Sequence, residues 1–144
     1  MKLKKILSRI ALIVTIGLII FAIWGGYSVY DYLFPMADII ACPKEEDVTS
    51  ISLAQNNGTN IAIEKHYLGD FLQYIRNAKP TRKWSVHDSP VAENYYIIEL
   101  DTHEREYRYF VYVENSLVYI ERPYDGVYRG NQQLLDFLDA FFND

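Results

Sequence analysis

The chain has 144 residues, with 14 Lys plus Arg against 19 Asp plus Glu and a formal net charge of −5. Half of it is apolar and 15% is aromatic, with seven Gly and five Pro, which excludes disordered, collagen-like and low-complexity classes. A single Cys closes no internal disulfide and offers a metal at most one thiolate, so disulfide scaffolds and Cys-rich zinc modules are also excluded, and the length leaves room for one ordinary domain beside an anchor.

Lys2, Lys4, Lys5 and Arg9 make residues 1–9 a basic stretch with no acid in it, and the next charge is Asp31. Residues 10–30 are therefore an uncharged run rich in Ile, Leu, Val, Ala and Phe. As a helix this run reaches about 30 Å, one hydrocarbon thickness, with every backbone amide paired inside the segment. It predicts a transmembrane helix that engages membrane lipid. Trp24, Tyr27, Tyr30 and Tyr32 follow as an aromatic belt, and the basic cluster sets a cytoplasmic N-terminus with the remainder of the chain outside the cell membrane.

This opening has two other readings. A cleaved signal peptide has an apolar region of about 7–15 residues ending at a small-x-small site, whereas this run is longer and ends in the bulky Trp24-Gly25-Gly26-Tyr27. Ile39-Ile40-Ala41-Cys42 looks like a lipobox, but Asp31, Pro35 and Asp38 separate it from the apolar run, so Cys42 reads as an ordinary thiol. Ala22 and Gly26 form a small-xxx-small pair of the kind that lets helices touch.

All 19 acids lie beyond residue 30, with ten of the 14 bases, so that part carries −9. Such a surface repels a polyanion, and no basic cluster interleaved with aromatics offsets it, so no nucleic-acid partner is expected. Residues 31–46, closing on Pro43-Lys44-Glu45-Glu46, read as a spacer, and residues 47–144 as the extracytoplasmic domain.

Within that domain Val48 to Ala54 and Asn60 to Lys65 alternate as strands around the hairpin signal Asn56-Asn57-Gly58. Leu68, Phe71, Leu72 and Ile75 form a helical stripe that Pro80 stops. Tyr95 to Asp101, Glu106 to Glu114 and Leu117 to Arg122 read as a three-stranded meander with short connections, and Lys83 to Val86 as a further candidate strand. Asn131 caps a last helix whose apolar stripe is Leu134, Leu135, Leu138, Phe141 and Phe142. The order β-β-α-β-β-β-(β)-α predicts an α+β fold: a largely antiparallel sheet covered by helices on one face, with the other face wet.

Candidate chemistry is sparse. His103-Glu104-Arg105-Glu106-Tyr107 opens like H-E-x-x-H, but Tyr107 stands where the second metal-binding His is needed and the segment lies between strands. Glu99, Asp101 and His103 alternate and would share a strand face that could hold a cation, although a solvated face is the commoner reading. Ser85, His87 and Asp88 have the residue types of a triad, yet close sequence neighbours point apart, and Asp88-Ser89-Pro90 is turn chemistry. No phosphate-cradling or dinucleotide motif occurs, so no cofactor is implied and no enzymatic activity is expected.

The most distinctive stretch is Tyr119-Ile120-Glu121-Arg122-Pro123-Tyr124-Asp125-Gly126-Val127-Tyr128. Tyrosine supplies large contact area at little entropic cost, so such a cluster suits recognition, with core-edge packing as the alternative. Together with Ser85-Val86-His87-Asp88-Ser89-Pro90 and Tyr95-Tyr96-Ile97-Ile98, this stretch resembles an uncharacterised family of Firmicute membrane-anchored extracytoplasmic domains, over about residues 47–128. The resemblance implies a Gram-positive envelope protein and adds no catalytic residue. Arg122, Asp125 and the following apolar helix depart from the family pattern.

The expected function is a single-pass membrane protein displaying a binding or sensing module toward an envelope protein or peptide. The candidate surface is Trp84, Asp88, Tyr119, Glu121, Tyr124 and Tyr128. The alternatives are an accessory or immunity-type subunit of another membrane protein and, more remotely, a metal-dependent or hydrolytic enzyme.

Overall fold

A computed structural model describes residues 2–143, which fall into two units divided after Pro35. The first is helix α1 (Lys2–Leu33). Its stretch Ile6–Leu33, 28 residues containing an 18-residue window of mean hydropathy 2.6, is long and apolar enough to cross a membrane. Two of its hydroxyls are satisfied locally: Thr15 Oγ1 donates to the Ala11 carbonyl at 2.9 Å and Ser28 Oγ to the Trp24 carbonyl at 3.0 Å. Neither asks for water, which hydrocarbon would not supply.

The second unit begins at Met36. Its strands are β1 (Val48–Gln55), β2 (Asn60–Ala62), β3 (Lys79–Pro80), β4 (Tyr95–Thr102), β5 (Glu106–Glu114), β6 (Leu117–Arg122) and β7 (Gly126–Arg129). They make one sheet in the order β2-β1-β4-β5-β6-β7-β3, every pair antiparallel. Asn115 and Ser116 turn β5 into β6 with φ of 51° and 62°, a two-residue hairpin whose left-handed backbone matches the twist of the strands.

Helices α2 (Leu68–Arg76) and α3 (Gln132–Ala140) cover one face. The stripe Leu68, Phe71, Leu72 and Ile75 is buried against Ile51, Leu53, Ile98, Leu100, Tyr109, Val111 and Ile120. Phe137 and Phe141 of the closing segment meet Phe71 with ring centroids 5.1 and 5.9 Å apart. Asn131 caps α3 as expected, its Oδ1 accepting from the Leu134 amide at 2.9 Å.

Three features differ from the sequence reading. Lys83 to Val86 is not a strand; the additional strands are β7 and the two-residue β3, which pairs Lys79 with Arg129 and Pro80 with Tyr128. The Thr81 hydroxyl and amide both donate to the Val127 carbonyl, at 2.6 and 3.2 Å, so the chain leaves the sheet edge there. The face away from the helices is only half wet. At β4–β5 it presents Glu99, Asp101 and Arg108, but over β5–β7 the segment 81–94 lies across it, and Phe110, Tyr112, Tyr119, Glu121 and Val127 are buried.

The third difference concerns the segment read as a spacer. From Ala37 on it packs within the domain: Ile40 is buried in the core, the Ala37 amide donates to the Thr81 carbonyl at 2.9 Å, and Tyr109 donates its hydroxyl to the Ala41 carbonyl at 2.7 Å. Arg76 ties Pro43 down through the latter's carbonyl at 3.1 Å. These partners lie 33 to 68 residues away in sequence, beyond the reach of any local pattern.

Candidate functional site

The antiparallel register places three tyrosines side by side on the face opposite the helices. Tyr95 of β4 stands across from Tyr112 of β5, and Tyr112 across from Tyr119 of β6. Tyr112 and Tyr119 stack with centroids 5.8 Å apart and planes 29° from parallel. Lys83 holds its ammonium 4.1 Å above the Tyr119 ring while pairing with the Glu114 carboxylate, and the Arg129 guanidinium lies 5.6 Å from the same ring. Cations over aromatic faces are attracted by the ring quadrupole, so the ladder is closed at its Tyr119 end by the chain's own charges.

Below segment 81–94, Glu121 is 6% exposed and accepts from the Ser85 hydroxyl at 2.7 Å, with Ser85 itself 8% exposed. The Tyr112 phenol lies beside Glu121 on the same face of the sheet. Burial, and after it the Glu121 carboxylate, pushes the Tyr112 phenol well above its ordinary value. A buried carboxylate needs donors in place of its lost water, and the Ser85 hydroxyl supplies one while fastening the loop to the sheet.

At the open end of the ladder a cleft of about 740 Å³ runs round the end of the sheet. Its walls are Trp84, Val91 and Ala92 of the loop, Tyr95 and Tyr112 of the ladder, and the hairpin after β1, with Leu135 and Asp139 of α3 at the far side. Trp84 is 65% exposed. Tyr96 donates to Asp139 there, and its phenol is pushed up to about 12, first by burial and then by that carboxylate.

The six residues expected to form one surface are distributed over four environments. Trp84 borders the cleft. Tyr119 and Glu121 are buried under the loop, where they hold it rather than meet a ligand. Asp88 and Tyr124 bond to each other at 2.8 Å beside a separate shallow groove of about 410 Å³ lined by Asp88, Glu106, Arg108, Arg122 and Pro123. The Asp88 carboxylate it donates to raises the Tyr124 phenol above its usual value. Tyr128 is on the opposite, helix-covered face with 0% exposure, because β6–β7 register pairs it with Ile120 and not with Tyr119.

The other weighed groups are engaged elsewhere. Ser85 faces Glu121 and Asp88 faces Tyr124, so these members of the apparent triad diverge. Glu99 accepts from Arg108 at 2.9 Å and from Ser52 at 3.1 Å, and Asp101 accepts from Ser50 at 2.6 Å. No group of three or more His, Cys, Asp or Glu is placed to hold a metal among the described residues. Cys42 is half-buried beside Arg76 and Tyr109, and burial raises its thiol above the ordinary value. Tyr95, Tyr112 and Lys83 were not among the expected site residues, although strict alternation along Glu106 to Glu114 puts Tyr112 on the same face as Arg108 and Glu114.

No curated protein matches the chain. Among solved structures it is similar to a protein from Ruminococcus gnavus determined by NMR, 33% identical, with a TM-score of 0.54 over 62% of this chain and 89% of that one. A family model, DUF5301, described as a domain of unknown function (DUF5300), matches residues 36–129. That match opens one residue before Ala37, where the chain first packs on the domain, and closes with β7. With more than half of its length so matched, the chain belongs to the DUF5301 family.

Proposed function

We propose that this protein is anchored by α1 with its N-terminus in the cytoplasm and carries its acidic α+β domain outside the cell membrane as a binding or sensing module. The basic residues 1–9 favour retention of that end, and a domain (residues 36–144) of net charge −8, with 18 acids against 10 bases, gains nothing from a nucleic-acid partner. The observation that carries the binding role is the cleft at the sheet end. Trp84 and Val91, 65% and 93% exposed, stand at the rim of a concavity built from aromatic rings and polar groups, an arrangement that packing of the core does not require.

Two measurements test the reading. Protease applied to intact cells should remove a C-terminal tag and leave the N-terminus protected, while Trp84→Ala should abolish the cellular activity of the gene without lowering membrane abundance. A tag cut only after lysis would overturn the topology, and a fully active Trp84→Ala chain would overturn the assignment of binding to this cleft.

A further inference from the structure

We infer that the cleft beside Trp84 is a saccharide site, taking an uncharged polyhydroxylated chain of pyranose rings. This rests on the binding-module reading and names its ligand class. The cleft volume of about 740 Å³ lies within the usual range for small-ligand sites, about 300–1,000 Å³. Its apolar lining combines aliphatic residues such as Val91 and Leu135 with aromatic ones: the exposed Trp84 and the half-buried Tyr95 carry rings whose negative quadrupole attracts the polarised C–H face of a sugar ring.

The polar lining includes four amides beside the charged Lys83, Glu93, Glu114 and Asp139. Gln55, Asn56, Asn57 and Asn94 border the cleft, and each amide has both donor and acceptor capacity, as a sugar hydroxyl does. Internal bonds hold part of this set in place without consuming it. Asn57 Nδ2 donates to Gln55 Oε1 at 2.8 Å and Asn57 Oδ1 accepts from the Thr59 amide at 3.0 Å, while Asn56 Nδ2 donates to the Glu93 carbonyl and keeps its Oδ1 as an acceptor.

The charges decide against an ionic ligand. Lys83 pairs with Glu114, and Asp139 accepts from Tyr96, so a charged guest would compete with bonds already made. An anion would also meet Glu93 and the domain's net charge of −8, from 18 acids against 10 bases. A cation would meet the ammonium of Lys83, which lines the cleft and is held 4.1 Å over the neighbouring Tyr119 ring. A neutral ligand rich in hydroxyls meets none of these conflicts, and Glu93 accepts hydroxyls well.

The test is calorimetric titration of the full chain in nonionic micelles with chitotriose, cellotriose and maltotriose, and separately with trilysine. At least one trisaccharide should bind saturably below about 10 mM. Trp84→Ala should raise Kd at least tenfold, and Trp84→Phe, which keeps a ring face, should stay within a few-fold of the wild type. Trp84 is exposed, so neither variant endangers the fold. Absence of heat with all three saccharides overturns the inference. Trilysine binding that depends on Trp84 overturns it too but leaves the binding-module reading standing, which fails separately if Trp84→Ala is fully active in cells. Saccharide binding unaffected by Trp84→Ala overturns the location.

Discussion

Ser85→Ala measures how firmly segment 81–94 is held over the sheet. Ser85 Oγ donates to the Glu121 carboxylate at 2.7 Å, and both residues are buried, so solvent does not replace the bond when it is lost. A hydrogen bond to a charged group contributes about 1.5–3 kcal/mol, which is the expected loss in Ser85→Ala. Glu121→Ala strands the Ser85 hydroxyl, at about 1–3 kcal/mol for a buried group left unpaired. Because the two substitutions remove the same bond, the double variant should cost less than the sum of the singles, with a coupling on the order of 1 kcal/mol or more. Urea unfolding of the full chain in micelles gives these values, and hydrogen exchange locates them. Exchange should accelerate in residues 81–94 first, with β4–β6 protected until global opening. A loss below about 0.5 kcal/mol, the ordinary range for surface substitutions, with unchanged exchange in the loop, would refute the claim that this buried pair fastens it.

Four further outcomes follow from single contacts. Gly126→Ala would place a methyl 2.7 Å from Ala37 Cβ, so it should cost about 1–3 kcal/mol, and Ala37→Gly in the same chain should recover much of that loss in thermal unfolding. Tyr128→Phe removes a buried hydroxyl that has no partner among the protein atoms, so stability should hold or rise. Tyr109→Phe breaks a bond to the Ala41 carbonyl, so it should cost about 0.5–1.5 kcal/mol and speed exchange in residues 37–43. The tyrosines also set a pH limit. Tyr96 and Tyr128 have phenols raised to about 12, from burial in the first place, against about 10 in the unfolded chain. The folded state therefore prefers them protonated: their contribution is complete below pH 10 and is lost as pH rises toward 12. Absorbance at alkaline pH should show late-titrating phenols that fall into the ordinary range on unfolding; a single transition near pH 10 in the native protein would contradict this.

What was legible in the sequence is what adjacent residues decide together. The stripe Leu68, Phe71, Leu72 and Ile75 identified α2 and the side it buries, and Glu106 to Glu114 and Leu117 to Arg122 gave β5 and β6 to the residue. Alternation gives two faces to each strand, but only register says which faces coincide. Tyr119 and Tyr128 lie nine positions apart in one motif and looked like neighbours on a surface. The turn at Pro123 to Asp125, with Tyr124 at φ 60°, fixes Ile120 opposite Tyr128 and so sends the two tyrosines to opposite sides of the sheet. A tighter or wider turn by one residue would have reversed the outcome, since a single step exchanges the two faces.

The same reasoning explains why the cleft was not visible in advance. Its walls come from the β1 hairpin, segment 83–94, the start of β4, the end of β5 and α3, with contributions from residues as far apart as Gln55 and Asp139. Each contributes one or two side chains that are unremarkable in their own segment: Asn56 and Asn57 read as turn formers, Tyr95 as a strand residue and Trp84 as part of a candidate strand. Their chemistry becomes specific only when the sheet order sets β1 beside β4 and β4 beside β5, which carries the hairpin and the tyrosine ladder to one end. The loop that completes the site leaves the sheet at Thr81 and is fastened through Ser85 to Glu121, so Trp84 is positioned by bonds on either side of it. Recognition at Trp84 and stability of the loop are therefore coupled. A ligand bound there should slow exchange in residues 81–94, and loosening the Ser85–Glu121 bond should weaken that ligand although neither residue lines the cleft.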